Sequence, residues 1–246
     1  MISMLRSTVV AAVLLGTALS ARAGALVEPS LHLKSSAAGE TRVALTLDAC
    51  GGRTDNRILA ALVEHRIPAT IFVTGLWLKR NPEALAVMRA HPDLFEIENH
   101  GDRHIPAVDA PMRIYGIRSA GSPAAVASEI NDGAAAIIAA GLAQPRWFRG
   151  ATAKYSRTAI AEIKALGFHV AGYSINADGG ALLSAGSTER RVAAAKDGDV
   201  LIAHINQPTR SAGAGLVKGL LKLKARGVTF VRLDDADRDG SYEMDD

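Results

Sequence analysis

The chain has 246 residues, of which 48% are hydrophobic, with 28 Lys and Arg against 25 Asp and Glu. That is enough chain to bury one sizeable core and too little to require two domains. The formal net charge of +3 comes without a basic stripe or interleaved aromatic residues, which argues against a nucleic-acid surface.

The first 23 residues read as a cleavable export signal, with a retained N-terminal anchor as the alternative. Arg6 precedes an apolar run over 9–19, and the small-residue triplet Ala21-Arg22-Ala23 follows. The run is shorter than the roughly 20 residues a membrane-spanning helix needs, so no integral membrane domain is expected after cleavage. Loss of Arg6 and Arg22 brings the net charge near +1, which leaves little electrostatic signal about partners. The destination is the periplasm or the exterior. Cys50 is the only cysteine, so an exported chain of this sequence cannot form an internal disulfide, and its stability must come from the core.

Residues 24–40 read as an irregular lead-in to a domain over 41–234. Short apolar runs predict strands over 43–47, 69–73, 94–98, 146–148, 168–174, 200–203 and 228–233. Between them, helical patterns occupy 56–64, 82–89, 123–140, 157–166, 188–195 and 215–226. The alternation implies an α/β domain with a mainly parallel sheet, and runs this apolar do not suit a sheet with one wet face. The longest irregular stretch, 101–122, has the length of a functional loop. The tail over 235–246 is acidic. Asp235, Asp237, Asp239 and Asp246 fall near the spacing of a calcium loop, but a solvated tail is the simpler reading.

The informative observation is positional. Asp48, His100, Arg149, Asp178 and His204 each stand at or just after the end of a predicted strand, where parallel α/β folds build their sites. Any one of them alone reads as a helix cap, a surface ion pair or a structural histidine. Five on five strands point to chemistry. His100 and His104 are four apart, so a helical segment there would put both imidazoles on one face to grip a metal ion. His204, emerging from a buried strand, suits a general acid. Arg149, at the rim, would hold a carboxylate bidentately and keep it ionised.

In that order the residues resemble the polysaccharide deacetylase family, the NodB-homology or carbohydrate esterase family 4 domain. Thr46-Leu47-Asp48-Ala49 resembles its Thr-Phe-Asp-Asp motif, and His100 to His104 its His-Ser/Thr-x-x-His motif. Phe148-Arg149, Asn176-Ala177-Asp178 and Leu201-Ile202-Ala203-His204 resemble the third, fourth and fifth motifs. The resemblance covers about residues 43–233 and implies a distorted seven-stranded (β/α) barrel. It implies a hydrolase of carbon–nitrogen bonds other than peptide bonds, removing N-acetyl groups from peptidoglycan or a chitin-like polymer with a divalent metal, Zn²⁺ by expectation. His100 and His104 would be metal ligands, Asp48 the general base and His204 the acid, with Arg149 and Asp178 orienting them.

Three departures stand out. Ala49 replaces the second Asp, the usual third metal ligand. Gly150-Ala151-Thr152 replaces Pro-Pro-Tyr after the arginine, and Gly179 replaces the Trp after the fourth-motif Asp. Asp48 could then complete a two-His, one-carboxylate site and leave the base role to Asp178 or another carboxylate, or the metal could be held by the two histidines plus waters, with Cys50 either a thiolate ligand or a structural thiol beside the Gly51-Gly52 turn. A non-catalytic carbohydrate-binding protein with a decayed site is the alternative function, and a small acylated substrate a third. Trp77, Trp147, Tyr155 and Tyr173 are the aromatic residues available to stack on a sugar.

Overall fold

The computed structural model describes residues 25–34, 39–238 and 242–245. The export signal expected over 1–23 lies outside the described residues, as do Asp239 and Asp246 of the calcium-like spacing. In chain order the elements are β1 (Ser30–Leu33), β2 (Arg42–Ala49), α1 (Asn56–Glu64), β3 (Ala69–Val73), α2 (Gly75–Arg80), α3 (Pro82–Ala90), β4 (Phe95–Asn99), β5 (Arg113–Ile114), β6 (Ile117–Arg118) and α4 (Pro123–Ala139). They continue with β7 (Trp147–Phe148), α5 (Arg157–Ala165), β8 (His169–Val170), β9 (Ile175–Asn176), α6 (Ala185–Ala193), β10 (Val200–His204), α7 (Ala212–Ala225), β11 (Thr229–Val231), α8 (Leu233–Arg238) and β12 (Tyr242–Asp245).

Seven parallel strands follow one another in the order β8-β7-β4-β3-β2-β10-β9, and β11 pairs in parallel with the start of β2. The sheet curls into a half-barrel whose ends, β8 and β9, are not joined to each other by ladder bonds. Alternation along β2 decides what faces where. Val43, Leu45, Leu47 and Ala49 pack outward under the helices. Ala44 joins Phe72, Trp147 and Val200 in a second cluster inside the barrel. Thr46 and Asp48 share that inward phase. Each fully buried Leu or Val contributes about 1.5–3 kcal/mol, so a one-residue slip that turned Leu47 inward and Asp48 outward is strongly disfavoured.

Serine, threonine and aspartate caps fix the helix starts. Asp55, Thr74, Ser122, Ser156 and Ser184 each accept an N–H from the first turn of the helix that follows.

Four expectations need correction. The lead-in contains β1, which pairs antiparallel with β12, so part of the segment expected as a tail is strand, and 233–238 is helical. Leu31, Leu33, Leu233 and Ala236 bury their side chains together at the floor of the barrel, a contact across some two hundred residues that local patterning does not reveal. The strand expected over 168–174 stops at Val170, because the Ala171 and Gly172 carbonyls accept from the Arg149 side chain instead of continuing a ladder. The chain resumes pairing at β9, on the opposite edge. Within the stretch expected to be irregular, β5 and β6 form a hairpin turning at Tyr115 and Gly116.

Helices α6 and α7 meet closely through glycine. A Cβ on Gly215 would lie 2.1 Å from the Ala185 carbonyl oxygen. Gly-to-Ala ordinarily gains about 1 kcal/mol in a helix interior, but overpacking against backbone costs about 1–3 kcal/mol. Gly215→Ala is therefore expected to lower the melting temperature; an unchanged or higher value would show that the helices can separate freely.

The barrel interior also holds two neighbouring carboxyls, Glu98 buried and Glu96 half-buried. Glu98 accepts from the Arg146 and Trp147 amides at 2.8 and 2.7 Å, while Glu96 accepts from Thr70 at 2.7 Å. Burial, reinforced by Glu96, pushes Glu98 up to about 9, and burial pushes Glu96 up to about 6. A carboxyl whose folded pKa is raised favours folding fully below its unfolded value near 4.5, and that contribution is lost as pH rises through the folded pKa. Glu98→Gln keeps a carbonyl acceptor and cannot ionise. It should melt like wild type near pH 4 and above wild type at pH 8 to 9; equal melting curves at alkaline pH would show that Glu98 does not resist ionisation.

Candidate active site

The ends of β2, β4, β7, β9 and β10 gather the side chains that the sequence singles out. Arg149, at the end of β7, is fully buried rather than at a rim. Its Nη1 donates to Asp48 Oδ1 at 3.0 Å and to Thr46 Oγ1 at 2.8 Å. Nε and Nη2 reach the Ala171 and Gly172 carbonyls at 3.1 and 2.9 Å. The expected bidentate fork is thus a single N–H to the carboxylate, with the other donors spent on backbone. The guanidinium also stacks over the Phe72 ring, 4.4 Å from its centroid.

Asp48 is 4% exposed. Burial opposes its ionisation, but Arg149, with His100 and His204, outweighs that and holds the carboxyl below its ordinary range. Its other oxygen, Oδ2, lies 3.8 Å from His100 Nε2.

His100 Nδ1 donates to the Arg149 carbonyl at 2.5 Å, which leaves Nε2 as the free nitrogen, 3.6 Å from Cys50 Sγ. The segment to His104 is not helical. Gly101 and His104 both adopt left-handed backbone, with φ of 84° and 63°. The loop nonetheless brings the two rings within 5.0 Å, centroid to centroid. Two groups hold it there. Asn99 Oδ1 accepts from Gly101 N, and the buried Glu129 of α4 accepts from Arg103 N at 2.8 Å and Ile105 N at 3.1 Å. Glu129 was not anticipated, yet it falls on the same helical face as Val126, Ile130, Gly133 and Ile137. A lone carboxylate in an apolar stripe is a readable signal that something nearby needs it.

Cys50, the residue for which the sequence leaves two readings open, sits in the site. Cys50 Sγ and one ring nitrogen each of His100 and His104 lie within 4.8 Å of one another. Burial works against the thiolate, but hydrogen bonds from His100, His104 and His204 hold the thiol well below its ordinary range. Thr74 fixes the backbone here, donating its hydroxyl to the Cys50 carbonyl.

On the far wall, His204 Nδ1 lies 3.1 and 3.2 Å from the two oxygens of Asp178, which also accepts the His204 backbone N–H at 2.7 Å. Burial disfavours the imidazolium, but Asp178 together with Cys50 raises the His204 pKa well above its ordinary value. Asp178 is 2% exposed and takes a further N–H from Gly180.

Asp48, Cys50, His104 and His204 line a cleft of about 600 Å³. Of the aromatic residues expected to contact a sugar, Trp77, Trp147 and Tyr155 are fully buried. Tyr173 lines the cleft, joined by Tyr115 from the hairpin turn, which is 74% exposed. No helix among the described residues is long and apolar enough to cross a membrane.

The half-barrel has close structural relatives. A deacetylase solved with its substrate is 22% identical over 85% of this chain and 96% of its own, with a TM-score of 0.66. A peptidoglycan deacetylase from Bacillus subtilis is 23% identical over 81% of this chain and 91% of that one, at 0.63. A family 4 pseudoenzyme from Bacillus anthracis is 20% identical over 82% and 67%, at 0.64. These likenesses establish the shared fold. No curated protein sequence matches the chain. Residues 35–171, more than half of the chain, match the polysaccharide deacetylase family model, and the chain belongs to that family.

Proposed function

We propose that the protein is an exported, metal-dependent deacetylase that removes N-acetyl groups from an amino-sugar polymer such as peptidoglycan or a chitin-like chain. It would act in the periplasm or outside the cell. The observation that carries this reading is the pair of proton-handling groups in one cleft: Asp48 ionised beside Arg149, and His204 kept protonated by Asp178. A general base and a general acid with opposite charge preferences are what amide hydrolysis needs.

His100 and His104 would hold the metal. The donor set suits a borderline-soft ion such as zinc, since His100 already gives its Nδ1 proton to a carbonyl and turns Nε2 to the site. A bound divalent ion would supply Lewis-acid polarisation of the acetamide carbonyl. Asp48 takes a proton from the attacking water, and Arg149 holds that carboxylate in place. His204 delivers its proton to the departing sugar amine, leaving acetate, and Asp178 fixes the ring orientation for the transfer. Tyr173 and Tyr115 offer faces for the sugar.

Ala49 favours one competing reading, a glycan-binding protein without catalysis, because its methyl group packs in the core where the family's carboxylate would be sought. Metal content and acetate release separate the two. Purified protein should carry about one zinc per chain and release acetate from N-acetylglucosamine oligomers or peptidoglycan, with both lost in His100→Ala. Binding of these glycans with neither zinc nor acetate would favour the non-catalytic reading, and acetate from small amides alone would move the substrate class.

The acid role has its own signature. Asp178→Asn removes the carboxylate that raises the His204 pKa, so the alkaline limb of the kcat against pH profile should move to lower pH. Activity at neutral pH should fall about 10²- to 10⁴-fold. An unmoved alkaline limb would assign the proton to another group.

A further inference from the structure

We infer that Cys50, as a thiolate, is the third protein ligand of a Cys50–His100–His104 cation site, in place of the carboxylate that Ala49 lacks. The inference deepens the metal-dependent reading above and rests on it.

Strand parity is the first support. In this chain Ala49 packs its methyl group into the helical layer with Val43, Leu45 and Leu47, whereas Asp48 and Cys50 on either side of it both line the cleft. Distance is the second. A tetrahedral ion with bonds of about 2.3 Å to sulfur and about 2.0–2.1 Å to nitrogen separates those donors by about 3.6 Å. Cys50 Sγ and His100 Nε2 are 3.6 Å apart, and His104 completes the triangle within 4.8 Å.

The third support is the role left to Asp48. One of its oxygens is engaged by Arg149, and the other lies 3.8 Å from His100 Nε2. With Cys50 as ligand, Asp48 stays available as the base, and the exchange of a carboxylate for a thiolate keeps the ligand charge at −1. Three protein ligands also leave a fourth position open, the arrangement of catalytic rather than structural zinc. A sulfur donor changes the preferred ion, favouring zinc, cobalt or cadmium over magnesium, calcium or manganese.

Because Cys50 is the only cysteine, a thiol reagent reports on it alone. The full chain, stripped with a chelator, is titrated with Co²⁺ and followed by absorption, and separately alkylated with iodoacetamide with and without Zn²⁺. The expected result is a near-ultraviolet thiolate-to-cobalt charge-transfer band and alkylation slowed about tenfold or more by zinc. The band should vanish in Cys50→Ser, and Cys50→Asp should retain zinc without it. Stoichiometric zinc with no band and an unprotected thiol would overturn the thiolate ligand while leaving the metal-dependent reading intact. No zinc or cobalt bound by wild type would overturn both.

Discussion

The buried Arg149 guanidinium is the interaction on which the site depends. A cation with no solvent exposure survives only if paired and hydrogen-bonded throughout. Here the partners come from three places: Thr46 and Asp48 on β2, the 171–172 carbonyls beyond β8, and the Phe72 ring on β3. The same residue's backbone carbonyl takes the His100 proton. One side chain and its own peptide group therefore tie the Asp48 carboxylate, the ring orientation of His100 and the open edge of the sheet into a single arrangement. Moving any of these strands would strand a charge in the interior, which costs more than a lost apolar contact.

This dependence also explains how much was legible in the sequence. At the centre of the sheet, β2, β3 and β10 are apolar runs long enough to identify by themselves and β4 alternates Phe95 and Ile97 with Glu96 and Glu98, and these strands deliver Asp48, His100 and His204 to one end. β7, β8 and β9 have two residues each. Their limits are set by what Arg149 and the neighbouring strands require, so a continuous run over 168–174 looked like one strand. The pairing of β1 with β12 has no local signature. Hairpin β5–β6, one turn with Tyr115 at its tip, was hidden in a stretch rich in glycine and proline.

The His100 and His104 rings lie together, but not by the helical geometry that their spacing suggests. A spacing of four suggests a helix, but Gly101 and His104 take left-handed backbone that no helix interior accommodates. The pair converges because Asn99 and Glu129 bind the loop amides between and beside them. Glu129 belongs to a helix whose buried face is otherwise apolar, and burial raises its pKa against its own ionisation. A carboxylate kept there at a cost in stability is a positioning device for the loop, and it lies outside the spacing that defines the motif.

The barrel interior and the rim answer to different demands. Inside, Asp48, Arg149, Asp178 and His204 are fixed by mutual hydrogen bonds, so their positions tolerate little change. At the rim, Thr152 and Gly179 are small where the family carries larger side chains, and Tyr173 and Tyr115 supply the aromatic surface instead. Tyr115 stands at a hairpin tip, with Lys154 5.1 Å from its ring centroid. A cation over an exposed ring limits how that ring can turn toward a ligand. The charge arrangement in the cleft is therefore set by the buried groups, while its width is set by the hairpin and by the loops after β7 and β9.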